Sequence, residues 1–133
     1  MSAAAEPHTF PTYELLARDI QDWGVECVFG LMSDDTAVLA TTLDAIGVRF
    51  HGARHENNAI AAAEGYAAAS GRLGVALVGR GPATANGLHA ATYASRTGSP
   101  VLIMYGDAPT ASPANAMGPD YKGFNALGVL HAE

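Results

Sequence analysis

A single cysteine, Cys27, stands in 133 residues. One thiol builds neither a disulfide framework nor a thiolate metal site. In the apolar run Val25-Glu26-Cys27-Val28-Phe29 it reads as a small buried hydrophobe. Basic residues are scarce too. The 7 Lys and Arg against 13 Asp and Glu leave a formal charge of −6, which excludes the basic footprint of a nucleic-acid surface. No apolar stretch approaches the roughly 20 residues of a membrane span. Residues 1–11 carry no Lys or Arg and no hydrophobic stretch, so they do not read as a secretory signal, and the expected setting is cytoplasmic. His8, His51, His89 and His131 are scattered without metal-ligand spacing. A Gly-x-Ser-x-Gly elbow is missing, which leaves a hydrolase triad without support.

Small residues are abundant instead. There are 15 Gly, and Ala comes in dense clusters such as Ala61-Ala62-Ala63 and Ala67-Ala68-Ala69. With 49% hydrophobic residues, the chain is too apolar for disorder. The clusters suggest helices that pack very closely against a neighbour. The length suits one domain with a real core.

Residues 1–11 read as a frayed leader and residues 12–133 as one domain. Thr12 is a plausible N-cap for a helix over 12–23, with Leu16, Ile20 and Trp23 on one apolar face and Gly24 as its stop. Further helices are expected over 36–46, where Asp34-Asp35 suits the helix cap, over 56–70, closed by Gly71, and over 85–95. The β-branched and apolar runs predict strands over 25–29, 48–53, 74–78 and 101–105. Residues 107–118 have no clear period and read as a surface loop, and 121–130 as a short helix or irregular return. Strands alternating with helices imply an α/β fold: a doubly wound, mostly parallel sheet flanked by helices. Such sheets usually carry five or six strands, so the domain reads as C-terminally incomplete, short of its last αβ unit.

In open α/β sheets ligands collect at the carboxyl ends of the strands, which directs attention to the loops at 30–35, 54–57, 79–84 and 106–109. The stretch Gly79-Arg80-Gly81-Pro82-Ala83-Thr84 superficially resembles a dinucleotide fingerprint. Thr84 replaces the third glycine, however, and Ser99-Pro100 stands where an acidic ribose partner is needed. Glu56 opens a helix directly after a strand. On its own it reads either as a first-turn carboxylate stabilised by the helix dipole or as a catalytic group.

Several strings occur in order. They are Val28-Phe29-Gly30, His55-Glu56-x-x-Ala59, Glu64-Gly65-Tyr66-Ala67-x-x-x-Gly71-Arg72-x-Gly74-Val75, Gly81-Pro82-x-x-x-Asn86-Gly87, and Pro100-Val101-Leu102 with Gly106. Together they resemble the N-terminal, pyrimidine-binding domain of thiamine-diphosphate-dependent enzymes, in the group of acetolactate synthase and benzoylformate decarboxylase. The match runs from about Tyr13 to Gly106 and is looser beyond Asp107. The resemblance implies that Glu56 hydrogen-bonds N1′ of the cofactor's aminopyrimidine, whose imino form then activates thiazolium C2. It puts Pro82 and Asn86, with Gly81 before them, on a second pyrimidine-side loop. Leu31, Met32 and Ser33 occupy a turn usually written with Pro-Gly, which makes Met32 a cofactor-side candidate. Asp34 falls where pyruvate-decarboxylase-like members carry an active-site aspartate, with helix capping as the alternative. Lys122 stands roughly where synthases carry a catalytic glutamine, with a solvated surface lysine as the alternative. The Ala-rich helix would lie at a subunit interface, as a homo-oligomer or with a heteromeric partner.

In this family a separate domain holds Mg²⁺ and the diphosphate through Gly-Asp-Gly and a later Asn pair. Here Gly106-Asp107-Ala108 has no such pair behind it, so thiamine diphosphate would be shared with a partner domain that carries the metal. The resemblance implies the pyrimidine-side half of a lyase or carboligase acting on 2-oxo acids. It would be a fragment or split subunit, not expected to turn over substrate alone. The alternatives are a non-catalytic interaction module of the same fold and a nucleotide-binding Rossmann-like domain.

Overall fold

The computed structural model describes residues 9–107 together with Gly128. The first helix, α1 (Thr12–Asp22), starts one residue earlier than its expected cap would place it: Pro11, not Thr12, is the N-cap, and its carbonyl accepts from the Glu14 and Leu15 amides. Its buried stripe is Ala17 and Ile20, whereas Leu16 is 36% and Trp23 59% exposed. The buried stripe therefore keeps Ile20 of the expected face and takes Ala17 in place of Leu16 and Trp23, because periodicity weighs the large side chains above the small Ala17 that meets the sheet.

After Gly24, whose φ of +78° turns the chain, come β1 (Cys27–Gly30) and α2 (Ala37–Ala45). Next follow β2 (Arg49–Gly52), α3 (Glu56–Ser70) and β3 (Gly74–Val78). The expected helix over 85–95 is in fact two, α4 (Pro82–Asn86) and α5 (Leu88–Thr97), parted at Gly87. The last described strand is β4 (Val101–Tyr105). Residues 1–8 of the expected leader over 1–11, the expected loop over 107–118 beyond Asp107, and the expected short helix over 121–130 lie outside the described residues, apart from Gly128.

The sheet is 4-stranded in the order β2-β1-β3-β4, and each pair is parallel. Alternation along β3 divides the core between the two faces of the sheet. Val75 and Leu77 join Ala17, Ile20, Ala40 and Leu43 under α1 and α2, while Ala76 and Val78 join Ala59, Ile60, Ala63 and Ala90 under α3 and α5. Gly74 lets α3 sit directly on β3, since a Cβ there would overlap the Ala63 carbonyl. Cys27 is buried, as its surroundings in the sequence suggest. From β1 the chain places β2 on one side and β3 on the other, so the β1/β3 boundary is the point at which the winding reverses and where ligands gather in such sheets. No helix among the described residues is long and apolar enough to cross a membrane.

Candidate functional site

At the carboxyl edge of the sheet, α3 begins on Glu56. His55 is its N-cap in extended backbone (φ −162°), and the ring Nδ1 accepts from the Asn57 amide at 3.2 Å. This satisfies one of the free first-turn amides. Glu56 is half-buried. The Asn86 carboxamide, last residue of α4, donates from Nδ2 to Glu56 Oε2 at 3.2 Å. The two residues that the resemblance assigns to separate loops thus face one another.

Two further contacts hold α3 against the α4–α5 junction. Asn57 Oδ1 accepts from the Ala90 amide at 2.9 Å, so a side chain of α3 caps the first turn of α5. Gly87 leaves room for Ile60, because a Cβ at position 87 would overlap Ile60 Cδ1. Residues 56, 57 and 60 therefore grip residues 86, 87 and 90. The sequence offers no local sign of the Asn57 bond, whose acceptor and donor are 33 positions apart.

The turn before α4 is shaped by glycine. Gly81 has φ +63°, which favours glycine, and Pro82 begins the helix. Thr84 is fully buried and donates to the Gly79 carbonyl at 3.0 Å. The Arg80 amide donates to Asp35 Oδ2 at 2.9 Å. A phosphate-cradling turn would aim such an amide at its ligand; here the chain's own carboxylate takes it, which removes support from the nucleotide-binding alternative.

The expectation that Asp34-Asp35 caps α2 is corrected. The N-cap is Thr36, which makes no side-chain cap bond; its hydroxyl donates instead to the Leu31 carbonyl at 2.9 Å. Asp35 reaches across the sheet edge instead, to Arg80, and accepts from Ser33 Oγ at 2.5 Å. A carboxylate beside a helix start has a dipole to cap, but the Arg80 amide and the Ser33 hydroxyl are the donors Asp35 meets. Asp34 is exposed, and Met32 is 55% exposed on the same loop. Among the described residues, neither is hydrogen-bonded to Glu56 or Asn86. Lys122 lies outside the described residues.

The family described as thiamine pyrophosphate enzyme, N-terminal TPP binding domain, matches residues 11–124. The chain belongs to this family. It is 34% identical over 97 residues to 2-hydroxyacyl-CoA lyase 2 of Danio rerio, covering 73% of this chain and 16% of that protein. It is 31% identical over 105 residues to the acetolactate synthase large subunit IlvG of Mycobacterium tuberculosis, covering 79% and 19%. To the probable 2-ketoarginine decarboxylase AruI of Pseudomonas aeruginosa it is 34% identical over 96 residues, covering 72% and 17%. The matched segment thus spans about a sixth of the length of these relatives.

Membership of the thiamine pyrophosphate family implies thiamine diphosphate as the cofactor, and the site's donor set suits one end of it. A carboxyl beside a carboxamide offers both hydrogen-bond donors and acceptors, as the edge of an aminopyrimidine requires. The diphosphate end needs a metal and its ligands. Among the described residues no group of three or more His, Cys, Asp or Glu is placed to hold a metal ion.

Proposed function

We propose that this domain is the pyrimidine side of a thiamine-diphosphate-dependent lyase or carboligase acting on 2-oxo acids, completed by a domain that holds the diphosphate and Mg²⁺. The observation that carries the reading is the Glu56–Asn86 pair at the carboxyl edge of the sheet, in a chain of this family. Further support comes from the printed activities of the relatives, a lyase, a synthase and a decarboxylase.

When bound, thiamine diphosphate supplies the carbon nucleophile and electron sink for chemistry at a 2-oxo acid carbonyl. The chain's part is placement and one proton. Glu56 holds a proton at its carboxyl group and offers it to the pyrimidine ring nitrogen. The α3 helix start fixes that carboxyl in place, with His55 and Asn57 tying down the first turn. Asn86 keeps Oε2 oriented, which limits the rotamers open to Glu56. Pro82 and Gly81 set the entry of α4 and hence where Asn86 stands.

A second copy or a partner subunit would cover the outer face of α3. Ala59, Ala63 and Ala67 are buried against the sheet, whereas Ala61, Ala62, Gly65, Ala68 and Ala69 are exposed. One buried face accounts for only part of the small residues.

The test mixes the chain with a protein carrying the diphosphate-binding domain, thiamine diphosphate and Mg²⁺, and follows 2-oxo acid consumption. Glu56→Gln should lower the rate by about 10² to 10⁴, the loss expected for a positioned proton-transfer group. Wild-type turnover in that variant would remove Glu56 from the mechanism. Absence of turnover with every such partner would favour the non-catalytic interaction module.

A further inference from the structure

We propose that Asp35 is a positioning residue, whose carboxylate locks the turn at residues 79–81 and so holds Asn86 against Glu56. Its consequence for cofactor binding rests on the reading of Glu56 above, but the positioning does not.

Asp35 is an exposed residue, yet each of its carboxylate oxygens accepts a hydrogen bond from the protein. Oδ1 accepts from Ser33 Oγ at 2.5 Å and Oδ2 from the Arg80 amide at 2.9 Å. On a third side lies Gly106, where an added Cβ would overlap the carboxylate itself. One side chain thus joins the loop after β1, the turn after β3 and the end of β4. It does so at the β1/β3 boundary, where the sheet's winding reverses. Carboxylates that accept backbone and hydroxyl bonds in this way serve geometry, and a group so engaged is poorly placed to receive a substrate proton.

The effect passes along α4. That helix has 5 residues, too few to be stable without anchors at its ends. One end is fixed by Asp35 at Arg80 and by Thr84 at the Gly79 carbonyl. The other is fixed by Asn86 at Glu56 and by Ile60 at Gly87. At about 1.5 Å per residue the whole helix is roughly 7.5 Å long, so a shift of the turn reaches Asn86 with little to absorb it. Gly81 at φ +63° makes the turn depend on outside restraint, since glycine has many other conformations open to it.

The experiment is amide NMR on the full chain, with hydrogen exchange and with Glu56→Ala compared in each background. In the wild type the Arg80 amide should be protected, and the Asn86 side-chain amide resonance should move on Glu56→Ala. In Asp35→Ala the Arg80 amide should exchange about tenfold faster, as expected for loss of one hydrogen bond, and the Asn86 response to Glu56 should vanish. Gly106→Ala should do the same with Asp35 still present, by evicting its carboxylate. Asp35→Asn keeps an acceptor oxygen for Arg80 and should restore both readouts, whereas a role for the charge itself would leave it defective. If Asp35→Ala does not fold, Gly106→Ala decides the matter. An Asn86 response lost in that variant while Arg80 stays protected would overturn the proposal. So would an unprotected Arg80 amide in the wild type, or an unchanged Asn86 response in Asp35→Ala or Gly106→Ala. None of these readouts depends on turnover, so a failure of the Glu56 mechanism leaves them unmoved.

Discussion

The Asn86 carboxamide donates to Glu56 Oε2 across 3.2 Å, joining residues 30 positions apart on different helices. The bond is partly open to water, so its worth is modest. A double-mutant cycle with Asn86→Ala and Glu56→Ala, read by urea unfolding, should give a coupling of about 0.5–1.5 kcal/mol. Additivity within about 0.3 kcal/mol would mean the pair does not form in solution.

Gly87 is the companion to that bond on the same helix junction. A Cβ there meets the tip of Ile60, which is fully buried and has little room to move. Gly87→Ala should cost about 1–3 kcal/mol by overpacking. Ile60→Val removes the offending Cδ1 and should itself cost about 0.5–1.5 kcal/mol. Combined, the two should cost clearly less than their sum in denaturant unfolding. A simple sum would place the strain elsewhere.

These contacts explain what could be read from the sequence and what could not. The helix Glu56–Ser70 and the strand Gly74–Val78 are marked by local signals, an apolar run closed by Gly71 in the left-handed region and a β-branched stretch after it. The resemblance named Glu56 and Asn86, and the fold brings them together. The break at Gly87 was illegible because a lone glycine within a helical pattern is usually tolerated; its reason is Ile60, reached only through the tertiary packing. Asp35 was misread as a cap for the same reason. Its donor at Arg80 is 45 positions away, and nothing within the loop itself points there. The buried stripe of α1 shifted because the small Ala17, not Leu16, meets the sheet.

Cys27 gives a pH dependence whose sign follows from its surroundings. Burial pushes its thiol above the ordinary value; nearby Arg49 opposes this and Glu26 adds to it. The folded state therefore keeps the proton longer than the unfolded chain. The stabilisation is complete below the ordinary thiol range, about 8.5, and is lost as pH rises toward the higher folded value. Unfolding free energy should fall on the alkaline side, and Cys27→Ala should flatten that slope after its constant packing cost. Alkylation of Cys27 should be slow in the folded protein and fast in urea at the same pH.

The outer face of α3 separates folding from association. Gly65 is exposed in mid-helix with nothing near enough to meet an added Cβ. Gly65→Ala should therefore stabilise the isolated chain by about 0.5–1 kcal/mol, by removing the entropic cost of a helical glycine. Gly65→Leu should also leave the fold intact, since leucine is a good helix former. If a partner helix lies against this face, the bulk of leucine keeps the two backbones apart. Sedimentation equilibrium should then show the leucine variant as monomer at concentrations where the wild type associates. Wild-type-like association of the leucine variant would move the interface off α3, and a wild type that stays monomeric at high concentration would remove self-association through this face altogether.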